Sequence, residues 1–198
     1  MRIAVFLDRD GTLNVEKGYI RDVAQIELIP GAAGAVRRLN DAGMLCILTS
    51  NQTGAARGYY SLDHIHALNR RVCDLLSAET GARLDAVYFC PHYEDGTVPE
   101  LALACDCRKP APGLIHQAVR DFPDIDLHRS FVVGDKASDI AFARNAGCRG
   151  ILVKTGYGRD VLAGAYQSLA VQPDAVCADI AEAADYIVEA SRRFHCPA

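Results

Sequence analysis

Short apolar segments alternate with longer helical ones along this chain, and the first apolar segment runs straight into two acids. Residues 3–7 read as a buried strand, and so do 44–48, 86–89, 131–133, 150–153 and 175–176. Residues 32–42, 61–80, 112–122, 139–146 and 180–192 read as the helices between and after them. The clearest is 61–80, where Leu62, Ile65, Leu68, Val72, Leu75 and Leu76 recur at helical spacing between a capping Ser61 and a terminating Gly81. Strand and helix in strict alternation predict an α/β fold: a parallel sheet with helices on both faces. Such sheets bind ligands in the crevice beyond the carboxyl ends of their strands. The first strand delivers Asp8-Arg9-Asp10-Gly11-Thr12 to that edge. Positions i and i+2 of an extended segment point the same way, so Asp8 and Asp10 face one site. Two carboxylates so close repel one another unless a cation or a shared proton lies between them. The pattern points to a site for a divalent metal and a phosphate; the alternative is an ordinary surface turn.

Two later strand ends repeat the theme. Thr49-Ser50-Asn51-Gln52 places a hydroxyl and amides after the second strand, where they either hold phosphate oxygens or cap a helix. Gly134-Asp135-Lys136-Ala137-Ser138-Asp139 follows the fourth strand. Asp135 is placed to add a metal ligand, and Asp139 either orients it or caps the next helix. Arg108-Lys109-Pro110 opens another helix with two cations suited to a phosphoryl group.

Eight cysteines fall into two sets. Cys46, Cys73, Cys148, Cys177 and Cys196 are scattered, several of them among apolar neighbours. Cys90, Cys105 and Cys107 cluster with His92 across a long non-periodic stretch. Three thiolates and an imidazole match a closed tetrahedral zinc site; the alternatives are a chance cluster or a redox pair, and C-x-C is not the C-x-x-C dithiol. A zinc bound by Cys90, His92, Cys105 and Cys107 would staple loop 90–107 and fix Arg108 and Lys109 beside it.

With 198 residues and no linker, repeat or low-complexity tract, residues 1–198 are expected to form one domain. A net charge of −4 argues against a nucleic-acid or membrane-binding surface. No run approaches the roughly 18 apolar residues of a membrane span, and the first apolar run is cut off too early for a cleavable signal peptide. A cytoplasmic protein is expected. No heptad or apolar stripe suggests self-association, so a monomer is expected.

The ordered set D-x-D-G-T, Ser-Asn, Lys and G-D-x-x-x-D spans residues 8–139 and resembles the haloacid dehalogenase (HAD) superfamily of phosphatases. The resemblance implies a Rossmann-like fold, with Asp8 as the nucleophile that forms an aspartyl-phosphate and Asp10 as the general acid and base. It implies Ser50 and Lys109 on the phosphoryl oxygens, and Mg²⁺ held by the Asp8 side chain, the Asp10 backbone carbonyl and Asp135. The pattern C-P-H…C-D-C-R-K-P further resembles two related groups, the heptose bisphosphate phosphatases and the histidinol-phosphate phosphatases; the twelve-residue spacer is similar to the longer loop of the first. That group implies a sugar bisphosphate substrate that loses its 7-phosphate. Glu16, Lys17, Gly18 and Tyr19 resemble its substrate loop, and Asn51, Gln52, Thr53 and Arg57 a second substrate-facing segment. Lys136 is expected near the reacting phosphate with Lys109, and Arg108 near the distal one. Arg57 is either a second contact there or a solvated surface charge. The intervals between motifs leave no room for a large cap domain. A scaffold that keeps the fold without activity is the remaining alternative, against which the intact acids argue.

Overall fold

A computed structural model of the chain describes residues 1–193. Cys196 lies outside the described residues. Six parallel strands form one sheet: β1 (Ala4–Leu7), β2 (Leu45–Asn51), β3 (Ala86–Cys90), β4 (Phe131–Gly134), β5 (Arg149–Val153) and β6 (Ala175–Cys177), in the order β3-β2-β1-β4-β5-β6. The helices are α1 (Ala32–Asp41), α2 (Leu62–Thr80), α3 (Gly113–Asp121), α4 (Ala137–Asn145), α5 (Gly158–Leu162) and α6 (Ile180–Arg193).

The period-two alternation of the strands sorts their side chains into two cores. Val5 and Leu7 of β1, Cys46 and Leu48 of β2, and Phe131 and Val133 of β4 face the layer of α1, α2 and α6. Ala4 and Phe6, Leu45 and Ile47, and Val132 face α3 and α4. Strands buried on both sides become near-continuous apolar runs, and this made them readable in the sequence.

Strand order reverses at β1. The chain steps from β1 out to β2 and β3, then returns to β4 on the other side, so the crevice between β1 and β4 is the switch point of the sheet. Asp8 follows β1 and Asp135 follows β4 at this place. Among the described residues, the segments 8–31 and 91–112 hold no strand or α-helix, only the short 3₁₀ turn Val23–Gln25, and no large cap domain interrupts them.

Two differences from expectation bear on the site. β2 does not stop at Leu48 but pairs with β3 as far as Asn51 opposite Cys90. Ser50 and Asn51 are therefore strand residues and cap no helix. α4 starts at Ala137, two residues ahead of the expected start, which places Asp139 in its first turn. The short α5 was not expected at all.

Candidate active site

The backbone N–H of Asp8 donates to the Val133 carbonyl (2.9 Å), so Asp8 continues the β1–β4 ladder by one residue. Its side chain is buried and accepts from Lys109 Nζ (2.9 Å). The same ammonium donates to Asp139 Oδ1 (2.6 Å). Burial alone lowers the proton affinity of Lys109, but Asp139 and Asp8 outweigh it and raise the pKa, so the cation is firmly held. Asp139 Oδ2 accepts from the Lys136 backbone N–H (3.1 Å). Of the two roles expected of Asp139, the capping one is filled: one oxygen caps α4, while the other holds Lys109 rather than orienting Asp135.

Asp135 is fully buried. Its Oδ2 accepts from the Tyr157 N–H (2.8 Å), while Oδ1 has no hydrogen-bond partner and lies 3.5 Å from Lys136 Nζ. Gly11, at φ 85°, and Gly156 press against this carboxylate, and a Cβ at either position would collide with it. Burial pushes the Asp135 carboxyl up to about 7; the Lys136 charge opposes the shift, and the neighbouring Asp8 and Asp139 charges reinforce it. Carboxylate oxygens of Asp8, Asp135 and Asp139 lie within 4.8 Å of one another. With Lys109 bridging Asp8 and Asp139, the other oxygen of Asp8 and the orphan oxygen of Asp135 are met only at ion-pair distance, by Lys136 Nζ at 4.0 and 3.5 Å, and lack a close partner. An all-oxygen donor set with excess negative charge suits Mg²⁺, and the residues fit that ion.

Asp10 is held apart from this cluster. Its carboxylate accepts from Arg9 Nη2 (3.0 and 2.8 Å), Arg9 Nε (3.1 Å), Asn14 Nδ2 (3.0 Å) and Gln52 Nε2 (2.8 Å). Burial by itself would raise its pKa, but the Arg9 charge and these hydrogen bonds outweigh burial and hold it below the ordinary value. Gln52 Nε2 also donates to Ser50 Oγ (2.8 Å), which leaves the Ser50 hydroxyl proton available to a ligand.

Cys90, His92, Cys105 and Cys107 converge at the end of β3, their donor atoms within 4.8 Å of one another. The Cys90 and Cys107 sulfurs are 2.9 Å apart, and His92 Nδ1 is 3.3 Å from Cys107 Sγ. This closed S₃N set fits zinc. Just past it, Asn51 grips the backbone of Lys109 from both sides, accepting from its N–H (3.0 Å) and donating to its carbonyl (3.1 Å). Asn51 therefore aims Lys109 through its main chain.

Above the acids opens a cavity of about 480 Å³, which Glu16, Gly18, Tyr19, Asn51, Gln52, Thr53, Arg57, Arg108, Lys109 and Lys136 help to line. Ser50 lies deeper, with Asp8 and Asp139. Arg57 and Arg108 flank the Tyr93 ring, 4.2 and 5.2 Å from its centroid. Glu16 pairs with Lys136 (3.3 Å) and accepts from the Gly18 N–H (2.7 Å), which ties the 14–19 loop over the site. Lys17 is not brought in: its ammonium is engaged by Glu27 (2.9 Å) and the Gln25 carbonyl (3.0 Å).

A HAD-hydrolase-like family model matches residues 106–183. A D-glycero-D-manno-heptose-1,7-bisphosphate 7-phosphatase of Thermosynechococcus vestitus is 57% identical over 189 residues, covering 94% of this chain and 95% of its own. The chain belongs to this heptose bisphosphate phosphatase family. A second relative, the D-glycero-beta-D-manno-heptose-1,7-bisphosphate 7-phosphatase of Rhodopseudomonas palustris, is 44% identical over 75% of this chain and 82% of its own. A crystal structure of D,D-heptose 1,7-bisphosphate phosphatase from B. bronchiseptica, complexed with magnesium and phosphate, superposes with a TM-score of 0.81 at 32% identity, covering 94% of this chain and 98% of its own.

Several residues in this family member's site went unread in its sequence. Arg9 looked like a spacer between two acids, yet it is almost wholly buried and is gripped by Asn69 Oδ1 (3.1 Å) and Gln52 Oε1 (3.0 Å) as well as Asp10. A charged residue set between two buried acids was the available signal. Tyr93, Tyr157, Tyr166 and Gln167 also line the cavity, and no local motif marks them.

Proposed function

We propose that this protein is a Mg²⁺-dependent phosphatase that removes the 7-phosphate from D-glycero-D-manno-heptose 1,7-bisphosphate through an aspartyl-phosphate on Asp8, in bacterial heptose biosynthesis. The observation that carries the reaction is the Asp8 carboxylate at the switch point, oriented by Lys109 and lining a small inner pocket with Lys109, Lys136 and Ser50. The substrate rests on likeness to the T. vestitus enzyme over nearly the whole chain.

Phosphoryl transfer needs positioning and charge stabilisation more than covalent chemistry from the protein. Lys109, Lys136 and the Ser50 hydroxyl supply donors to the phosphoryl oxygens. The Asp8 carboxylate attacks phosphorus, and the bond to the sugar O7 breaks. Asp10 gives its proton to the departing oxygen, then accepts one from the water that attacks the aspartyl-phosphate, releasing phosphate and restoring Asp8. Arg9 favours the ionised form of Asp10, which suits the second step. For the first, the negative phosphate bound beside Asp10 raises its proton affinity. Asp8, the Asp10 carbonyl and Asp135 would hold Mg²⁺, which when bound supplies charge neutralisation between nucleophile and phosphate. Cys90, His92, Cys105 and Cys107 would hold a structural zinc that fixes the Arg108-Lys109 segment. Arg108, with Arg57, is placed for the distal phosphate. A monomeric, cytoplasmic enzyme is the accompanying expectation; no described helix is long and apolar enough to cross a membrane.

The test is turnover of heptose 1,7-bisphosphate and histidinol phosphate side by side, with the position of phosphate loss located by NMR. Loss from O7, a higher kcat/KM on the bisphosphate, and abolition by EDTA with recovery on adding Mg²⁺ are expected. Preference for histidinol phosphate, or turnover unaffected by EDTA, would refute the reading.

A further inference from the structure

The cavity has a wall that no phosphate-binding role accounts for. Tyr157 is anchored at the acid cluster through its N–H to Asp135, and its ring stacks on Tyr166 at 4.3 Å between centroids and 11° between planes. Lys136 Nζ sits 5.3 Å from the Tyr157 ring centroid, on the cavity side of the acids. Gln167 follows directly, lines the same cavity, and its Oε1 is buried without a hydrogen-bond partner. A buried side-chain oxygen without a partner is uncommon in a folded protein, because leaving it unmet costs the desolvation of that group. The cations of the cavity serve the two anionic ends of a sugar bisphosphate. The neutral, hydroxyl-bearing middle needs different chemistry: a neutral amide to exchange hydrogen bonds with hydroxyls, and a rigid apolar ring surface beside it.

We propose that Gln167, carried on the Tyr157–Tyr166 stack, is a specificity-determining residue that hydrogen-bonds a hydroxyl in the polyol portion of the substrate. This rests on the sugar bisphosphate reading of the same site. A side chain that reads a hydroxyl contributes to a substrate that has one and contributes nothing to a phosphate ester that lacks it.

The test compares kcat/KM for heptose 1,7-bisphosphate with kcat/KM for p-nitrophenyl phosphate, which has no polyol, in the wild type, Gln167→Met and Tyr166→Ala. Met keeps the size of the side chain and removes its hydrogen bonding, and a thermal melt verifies that each variant is folded. The ratio of the two kcat/KM values is expected to fall about tenfold in Gln167→Met, the worth of one good hydrogen bond, mostly through KM. Tyr166→Ala, which frees the segment, is expected to lower the same ratio. An unchanged ratio in Gln167→Met, or an equal loss on both substrates, overturns the proposal while leaving the proposed function standing. A wild-type enzyme that turns over p-nitrophenyl phosphate but not the heptose bisphosphate overturns both, and is recognised by failing before any variant is compared.

Discussion

The acid cluster and the cysteine cluster gather candidate metal-binding side chains from distant parts of the chain, but they are held in opposite ways. Asp8 and Asp135 extend strands in the middle of the sheet, and the glycine backbones of Gly11 and Gly156 close in around Asp135. Lys109 neutralises part of the charge before any cation arrives. The cysteine cluster has only Cys90 on a strand; His92, Cys105 and Cys107 lie in a segment without regular structure, which is tied back by a few bonds such as those of Thr97 and Val98 N–H to the Ala56 carbonyl. The fold builds the first site, whereas on the proposed reading zinc would hold the second. A site made by the fold keeps its shape when a ligand is lost, whereas one held mainly by its metal loses its shape with the metal.

The sharpest way to break this contrast is to strip each cluster in turn. Asp8→Asn and Asp10→Asn are each expected to lower turnover by at least about three orders of magnitude, the scale of removing a nucleophile or its proton carrier, with the melting temperature barely changed. Activity near that of the wild type in Asp8→Asn would remove the covalent route. Cys105→Ser is expected to do the reverse: zinc content drops, the melting temperature falls by on the order of 10 °C, and activity declines with it because the segment bearing Lys109 loosens. If neither stability nor activity moves, the loop does not depend on a metal and the contrast fails.

Two smaller effects sharpen it. Asn51→Ala removes both bonds to the Lys109 backbone and is expected to lower kcat about tenfold while the fold stays intact; steady-state kinetics alongside circular dichroism separate the two. Tyr88→Phe deletes the 2.6 Å bond to Asp121, which ties β3 to α3 and touches neither cluster's donor atoms. It is expected to cost about 1 kcal/mol, a shift of roughly 2–4 °C, with kinetics unchanged. A kinetic effect there would mean that the sheet edge is less independent of its surroundings than its packing implies.

The sequence exposed what depends on short-range pattern. β1, β2, β4 and β5 could be found because both faces are buried, and α2 because Leu62 to Leu76 recur at helical spacing. The acids at strand ends and the C-P-H…C-D-C spacing could be found because their chemistry is local. What was hidden depends on partners distant along the chain. Ser50 and Asn51 looked like residues beyond a strand, since their place in the ladder is set by β3 almost forty positions later. Arg9 gave no hint of Asn69, sixty positions on. Lys17 sat among substrate-loop residues and was read with them, but Glu27 and the Gln25 carbonyl draw it outward. Tyr166 and Gln167 reach the cavity only because α5 returns the chain there, and five residues are too few to announce a helix by periodicity.

The close approach of Gly11 and Gly156 to Asp135 has a consequence for anyone retargeting this scaffold. Neither position has space for even a methyl group, so combinatorial libraries that touch them will be filled with dead clones. Diversity belongs at rim side chains such as Tyr19, Tyr93, Tyr166 and Gln167, where altered groups can select a new ester while the acids beneath keep their arrangement.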